Sequence, residues 1–373
     1  MTDFANFFIN GLSVGAFYAL IAVGYTMVYG IIKLINFAHG EFFMFGAFVG
    51  YAVLRGCFRV PETGGEAGIW PLLTAALAAG LATGVLAMVV ERVCYRPLRH
   101  AGRIVALLAA LGVSLFLQNL GQQTVGAQYR KFPPTIGESR LPRREVAWSR
   151  LQPGSPAASD LELVYWRRAE DGRDQRMTFF LAEAGKELSA GKLGAARDLD
   201  AGSTLPARVY AVSRVSVSNK QLVLVLALAL ATAGLYLLVH HTRFGRAMRA
   251  VSVDYDAARL MGINVDRVVS GTFFVGAFVA GLGGVLGGGM YYERIEPLMG
   301  LLPGLKAFVA AVLGGIGSLP GAILGALLLG VSEKMVEAYI SSGLRDGLAF
   351  AILIAVLLVR PQGLLGASEE QKL

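Results

Sequence analysis

Long apolar stretches, separated by polar or charged connections, dominate this chain. Most of them reach the roughly 20 residues that a helix needs to cross a bilayer. The chain is 55% hydrophobic and 16% charged, which is more apolar than a soluble domain and agrees with membrane-spanning helices. The ten-residue alternation of membrane β-strands is absent, so helices are the expected spanning form. The clearest stretches are Phe7 to Ile31, Trp70 to Val90, Ile104 to Leu120, Gln221 to Val239, Val269 to Met290 and Leu348 to Val359.

Two short connections between the apolar stretches are rich in arginine, and they set the predicted transmembrane topology. Short loops rich in Lys and Arg stay on the cytoplasmic side, and two spans separate these loops, as parity requires. The N-terminus is then extracytoplasmic and the C-terminus cytoplasmic. We predict four transmembrane helices in 1–129, an insert in 130–219, helices five to eight in 220–366, and a cytoplasmic tail in 367–373. The two clusters are Arg92, Arg96, Arg99 and Arg103, and Arg243, Arg246, Arg249, Arg259 and Arg267.

The segment from Arg130 to Lys220 carries sixteen basic and eleven acidic residues, yet it is too long for the charge rule to apply. Alternating runs at Leu161 to Trp166 and Met177 to Leu181 flank Asp171-Gly172, which is a hairpin signal. Another alternating run lies at 205–217, and an Ala/Lys/Glu-rich run at 182–199. We predict a small extracytoplasmic α+β insert; a solvated, disordered insert is the alternative.

Glycine is dense after the second arginine-rich loop. Pairs such as Gly46 and Gly50, Gly80 and Gly84, Gly284 and Gly288, and Gly317 and Gly321 have the small-xxx-small spacing of close helix packing. The run from Gly314 to Gly321 also contains Pro320, so we expect a broken helix near mid-membrane between Leu302 and Gly330. Packing and a solute pathway both remain open there.

Motifs for enzyme chemistry are not found. The sequence has no phosphate loop, no HExxH helix and no GxSxG elbow, so we predict no catalytic residues, no metal site and no cofactor in this chain. Glu41, Glu91 and Lys306 sit near span ends, where snorkelling to the interface is expected. The net charge of +8 is explained by topology and anionic lipid, and nucleic acid is not an expected partner.

The most informative connection is the charged, helix-prone loop 240–268. A helix is expected over Val253 to Met261, with Gly262-Ile263-Asn264 as its stop. This helix would present Asp254, Asp256 and Arg259 to water at the cytoplasmic surface. A solvated interfacial helix without a partner is the plain alternative.

Asp256-Ala257-Ala258, followed by Gly262, resembles the EAA…G loop of ABC importer permeases, with Asp in place of the usual Glu. Further segments are similar to the branched-chain amino acid ABC transporter permease family, in its LivH-type half. The resemblance covers Met1 to about Gln128 and about Val217 to Gly366. The segments are Asn10-Gly11-Leu12, Gly15 to Leu20, Tyr29 to Glu41, Met261 to Asn264, Lys306-Ala307-Phe308 and Val312 to Gly321.

The resemblance implies an inner-membrane importer subunit that pairs with a second permease, two cytoplasmic ATP-binding subunits using ATP and Mg²⁺, and an extracytoplasmic solute-binding protein. It implies an ATPase-coupling role for Asp254, Asp256, Ala257, Ala258, Arg259 and Gly262. Candidate residues of the solute pathway are Asn36, His39, Gly314, Gly315, Gly317 and Pro320.

Branched-chain amino acids are the solute that the resemblance implies, although other amino acids, amides or urea are carried by similar proteins. The insert is longer than the family's usual connection at that place. Two other classes stay open: a self-sufficient ion-coupled secondary transporter or channel, which needs carboxylates deep in the bundle, and a membrane-anchored scaffold that displays the insert.

Overall fold

A computed structural model describes residues 2–33, 36–62, 67–98, 102–137, 139–155, 157, 159–168, 174–183 and 186–366. The predicted tail 367–373, Arg99 and the Asp171-Gly172 turn lie outside these residues. The helices are α1 (Thr2–Ile32), α2 (His39–Gly56), α3 (Ile69–Val90), α4 (Arg103–Val125), α5 (Ala190–Ala201), α6 (Asn219–His241), α7 (Arg243–Val253), α8 (Tyr255–Leu260), α9 (Val265–Leu286), α10 (Leu301–Gly314), α11 (Leu319–Tyr339) and α12 (Arg345–Val359). The strands are β1 (Arg130–Lys131), β2 (Arg140–Val146), β3 (Asp160–Arg168), β4 (Asp174–Ala182), β5 (Arg208–Ser218) and β6 (Arg294–Ile295).

Among the described residues, seven helices are long and apolar enough to cross a membrane, namely α1, α3, α4, α6, α9, α11 and α12. The predicted polytopic, all-α membrane fold is confirmed. α2 completes the first half of the bundle, although Glu41 and Arg55 lower its apolar character. α10 is apolar but only 14 residues long.

The predicted broken span between Leu302 and Gly330 consists of two separate helices, α10 and α11, which pack antiparallel. The backbone of Gly314 lies against that of Gly321, and Gly325 lies against Ala310. Ser318 caps α11 by accepting a hydrogen bond from the Gly321 N–H at 3.2 Å. Pro320 occupies the first turn of α11, where its missing N–H breaks no helical bond.

The position of this turn corrects the expectation of a break near mid-membrane. Leu364 and Leu365 donate backbone hydrogen bonds to Leu313 and Gly314, at 2.9 and 2.8 Å. These leucines lie in the short segment after α12, the last apolar helix, which ends at Val359. The turn therefore lies at one end of the bundle, where the chain leaves the final span.

Glycine contacts bring the central helices close together. A methyl group on Gly46 of α2 would lie 2.5 Å from Gly281 Cα of α9. Gly11 of α1 approaches Val331 of α11 in the same way, at 2.6 Å. Helices in lipid gain no hydrophobic free energy by associating with one another, so the van der Waals contacts made at these glycines hold them together. Gly317 lies in the α10–α11 turn with φ +97°, and a methyl group added to it would meet no atom within 4 Å.

The insert has its own sheet and core, as predicted. β3 and β4 form the expected antiparallel hairpin, and the sheet order is β2-β5-β3-β4. Leu163, Leu181, Leu193 and Val209 belong to a hydrophobic cluster separate from that of the bundle. The helix begins at Ala190 rather than near Ala182, because β4 extends through Ala182.

The insert is joined to the bundle at the start of α6. Ser218 ends β5 and forms a capping box with Gln221, so the strand passes into the helix without a loop. Asn6 of α1 accepts a hydrogen bond of 3.2 Å from the Ser216 N–H. The sheet is thereby fixed to the end of the bundle at which α1 begins.

Candidate functional site

The two arginine-rich connections lie at the same end of the bundle. Arg96, which follows α3, forms an ion pair with Asp266 in the first turn of α9. The Tyr255 hydroxyl at the start of α8 donates a 2.9 Å hydrogen bond to the Ile31 carbonyl at the end of α1. The loop 240–268 is therefore built onto the ends of three helices.

The predicted helix over Val253 to Met261 is present as α8, which begins two residues later than expected because Asp254 separates it from α7. Asp254 is extended, with φ −153° and ψ 121°. Its carboxylate accepts hydrogen bonds from the Asp256 and Ala257 N–H groups, at 2.8 and 3.0 Å. Asp254 is thus the N-cap of α8, and it is exposed, as predicted.

The end of α8 follows the sequence prediction. Gly262 adopts φ +80°, a left-handed conformation that glycine tolerates best. Its N–H donates to the Arg259 carbonyl, and the Ile263 N–H donates to the Ala258 carbonyl, each at 3.0 Å. Asn264 then caps α9 by accepting from the Arg267 N–H at 3.0 Å. Hydrogen bonds therefore fix both ends of this six-residue helix.

α8 has a buried side and an exposed side. Ala258 is buried against the bundle, with only 4% of its surface exposed. Leu260 and Met261 are 88% and 82% exposed, and the neighbouring Arg259 is exposed as well. Apolar side chains held in water by a capped helix are typical of a surface that meets a partner. The sequence signal for them is Leu260-Met261, which sits between a charged residue and a glycine stop.

The two parts of the predicted solute pathway have different neighbours. Asn36 is buried, and its Oδ1 accepts hydrogen bonds from the Tyr95 hydroxyl at 2.7 Å and the Ala38 N–H at 3.1 Å. His39 is buried with its ring 4.6 Å from that of Tyr25. Gly314, Gly315 and Pro320 belong instead to the α10–α11 turn, where Gly315 packs on Gly366. Gly317 is exposed in the same turn.

The expectation that Glu41, Glu91 and Lys306 reach the interface is wrong. Their exposed fractions are 1%, 0% and 3%, because neighbouring helices cover the span ends on which they lie. Glu41 Oε1 accepts from Gln118 at 2.8 Å and from Ser114 at 3.1 Å. Glu91 accepts from the Ser270 hydroxyl.

Lys306 of α10 is buried and forms ion pairs with two carboxylates, of which Glu333 is buried and Asp346 is half-exposed. Its Nζ lies 2.9 Å from Glu333 Oε1 of α11 and 2.7 Å from Asp346 Oδ1 of α12. The Tyr18 hydroxyl of α1 donates to Glu333 Oε2 at 2.9 Å. Sequence reasoning missed Glu333, although a carboxylate inside the apolar run of α11 was a usable signal. The carboxylates of Glu41, Glu91 and Glu333 are therefore buried inside the bundle.

Metal ligands do not cluster in the part of the chain that the structure describes: no group of three or more His, Cys, Asp or Glu residues could hold an ion there.

The family model described as "Branched-chain amino acid transport system / permease component" matches residues 7–357. The chain belongs to this permease family. It is 36% identical to the high-affinity branched-chain amino acid transport system permease protein LivH of Escherichia coli K12, over 97% of this chain and 96% of that protein. The corresponding LivH of Salmonella typhimurium shows the same identity and the same two coverages.

The permease protein BraD of Pseudomonas aeruginosa is 35% identical, over 98% of this chain and 96% of its own length. These relatives cover both the bundle and the region of the insert. No solved structure matches the chain. Membership in the permease family agrees with the resemblance carried by the α8 loop and the other motifs.

Proposed function

We propose that this chain is the permease subunit of an ATP-driven importer of branched-chain amino acids in the bacterial inner membrane. The observation that carries the proposal is the firmly capped α8 with its exposed Leu260 and Met261, in a chain that belongs to the permease family. The relatives are named as high-affinity branched-chain amino acid permeases, which supports the choice of solute.

In this proposal α8 is the contact for a cytoplasmic ATP-binding subunit. Asp256, Ala257 and Arg259 are exposed beside the apolar pair, while Asp254, Ala258 and Gly262 fix the helix in position. Two such subunits supply ATP and Mg²⁺ chemistry, and this chain has no ATPase site or cofactor of its own. A rigid α8 passes the movement of the ATPase to α1 and α9 as a rigid-body tilt.

The remaining partners are those that the permease family implies, and the predicted topology gives each of them a side of the membrane. With α8 in the cytoplasm, the N-terminus and the insert are extracytoplasmic and the C-terminus is cytoplasmic. The insert then lies on the side from which a solute-binding protein delivers its cargo. A second, homologous permease completes the transport pathway, and the bilayer surrounds the remaining apolar faces.

The test is uptake of labelled leucine by membrane vesicles that contain all subunits, measured together with ATP hydrolysis. Ala258→Arg places a charge where α8 is buried against the bundle. Gly262→Val puts a β-branched residue in a left-handed conformation, which strains the backbone. Both are expected to lower leucine uptake at least about tenfold while the protein stays in the membrane. Gly347→Ala is the matched control, because no atom lies within 4 Å of the added methyl group. Unchanged uptake in Ala258→Arg contradicts the coupling role.

The buried carboxylates Glu41, Glu91 and Glu333 favour one alternative, an ion-coupled carrier that works alone. This alternative predicts leucine uptake by the purified chain in liposomes, driven by a proton or sodium gradient. We expect no such uptake without the ATP-binding subunits. Gradient-driven uptake by the chain alone would replace the importer proposal.

A further inference from the structure

α10 begins inside the bundle rather than at its end. The backbone at Gly300, its N-cap, packs against Gly40 in the first turn of α2. A methyl group on Gly304, in the first turn of α10, would lie 3.5 Å from the Tyr25 hydroxyl of α1. The positive end of the α10 dipole is therefore enclosed by α1 and α2.

Some backbone N–H groups at the start of α10 make no hydrogen bond with a described residue. Met299, Leu301 and Gly304 donate their N–H groups to carbonyls at 3.1, 3.2 and 2.9 Å, and Pro303 has no N–H. Gly300 and Leu302 are left without an acceptor among the residues that the structure describes. Free N–H groups at a helix start are suited to an anionic group.

Glu41 provides the opposite charge at the same place. Its Oε1 is held by Ser114 and Gln118, but its Oε2 is buried and has no hydrogen-bond partner in the described part of the chain. A methyl group on Gly300 would lie 3.0 Å from this oxygen, so Oε2 points to the start of α10. An unpaired, buried carboxylate oxygen is costly, and a ligand that donates to it removes that cost.

We propose that Glu41 Oε2 and the amino-terminal end of α10 bind the two charges of a zwitterionic amino acid. The ammonium group donates hydrogen bonds to Glu41 Oε2, and the carboxylate accepts them from the N–H groups of Gly300 and Leu302. Tyr25 and Phe308, whose rings are 6.2 Å apart beside the site, offer an apolar surface for the side chain. This site rests on the proposed function, and it excludes solutes that carry a single charge or none.

In this proposal the described conformation is the closed one, in which the site holds no solute. Gly40 and Gly300 are in backbone contact, which leaves no space for a solute between them. The solute reaches Glu41 when α10 moves away from α2, a displacement of one helix past another that fits a transport cycle. The glycines at this contact allow the two helix starts to close again after release.

The first experiment uses the complete transporter in liposomes and compares Glu41→Gln with Glu91→Gln. Both variants neutralise a buried carboxylate, but Glu91 lies at the end of α3, outside the site. We expect Glu41→Gln to reduce leucine transported per ATP at least about tenfold, and Glu91→Gln to stay within about twofold of wild type. Equal values for the two variants overturn the site. Absence of ATP-dependent uptake in the wild type contradicts the proposed function instead.

The second experiment needs no variant and covers the case in which Glu41→Gln does not fold. Thermal unfolding of the complete transporter, without binding protein, is measured with leucine, 4-methylpentanoate or 3-methylbutylamine. We expect leucine to raise the midpoint and the two single-charge analogues to leave it unchanged. An equal rise with either analogue, or no rise with leucine in a transporter that takes up leucine, overturns the zwitterion site.

Discussion

The Tyr255 hydroxyl donates a 2.9 Å hydrogen bond to the carbonyl oxygen of Ile31. The last four carbonyls of a helix have no partner within that helix, and Tyr255 satisfies one of those at the end of α1. α8 is thus tied to the first span across more than 200 residues of sequence. A movement of α8 is therefore transmitted to α1 without passing through α7 or α9.

Tyr255→Phe is expected to loosen this connection. A hydrogen bond of this kind contributes about 1 kcal/mol net, so we expect the ATP consumed per leucine transported to rise roughly fivefold. Uptake and ATP hydrolysis are measured on the same vesicles. Tyr236→Phe removes the hydroxyl of an exposed tyrosine on α6 and serves as the control. A normal ratio in Tyr255→Phe shows that this hydrogen bond does not transmit the movement.

Lys306→Met is expected to destabilise the bundle strongly. It leaves Glu333 buried, at 0% exposure, without its cation, and breaking a buried ion pair in this way costs about 3–5 kcal/mol. The control is Lys334→Met, which removes a partly exposed pair with Glu337 and costs about 0–1 kcal/mol. Thermal unfolding in detergent compares the two. Equal unfolding midpoints for these variants contradict a structural role for the ion pairs of Lys306.

Gly46→Leu is expected to prevent the close contact of α2 with α9. Even a methyl group at Gly46 would lie 2.5 Å from Gly281 Cα, so the helices must separate to accept a leucine. The amount of folded protein after detergent extraction is the measurement, and we expect a severe loss. Gly112→Leu on α4 is the control, since no atom lies within 4 Å of a Cβ added there. Normal yield of Gly46→Leu shows that the contact is dispensable.

Leu163→Ala is expected to weaken the insert alone. Leu163 is fully buried in the cluster formed by the sheet and α5, and its truncation costs about 2–5 kcal/mol. Limited proteolysis is then expected to cut between 130 and 219 faster than in wild type, while the bundle fragments stay intact. Faster cutting within the bundle, at the same rate as in the insert, contradicts separate cores.

Properties that depend on neighbouring residues were predictable from the sequence. Apolar length identified the spans, alternating residues identified the β3–β4 hairpin, and Gly262 marked the end of α8. The division of α7 from α8 was also a local event, but its signal was missed. The signal was Asp254 itself, because aspartate is a common N-cap and its carboxylate accepts hydrogen bonds from the N–H groups two and three residues later.

The sequence by itself determined the membrane class and the motifs of the permease family, because both depend on residues close together in the chain. Only the tertiary structure decided which ionisable groups are buried. Glu41 is covered by α4, and Lys306 is joined to Glu333 and Asp346 from two later helices. Burial and ion pairing depend on segments far apart in sequence. Hydropathy and spacing therefore predicted that these ionisable groups reach the membrane interface, whereas helix packing buries them among polar partners.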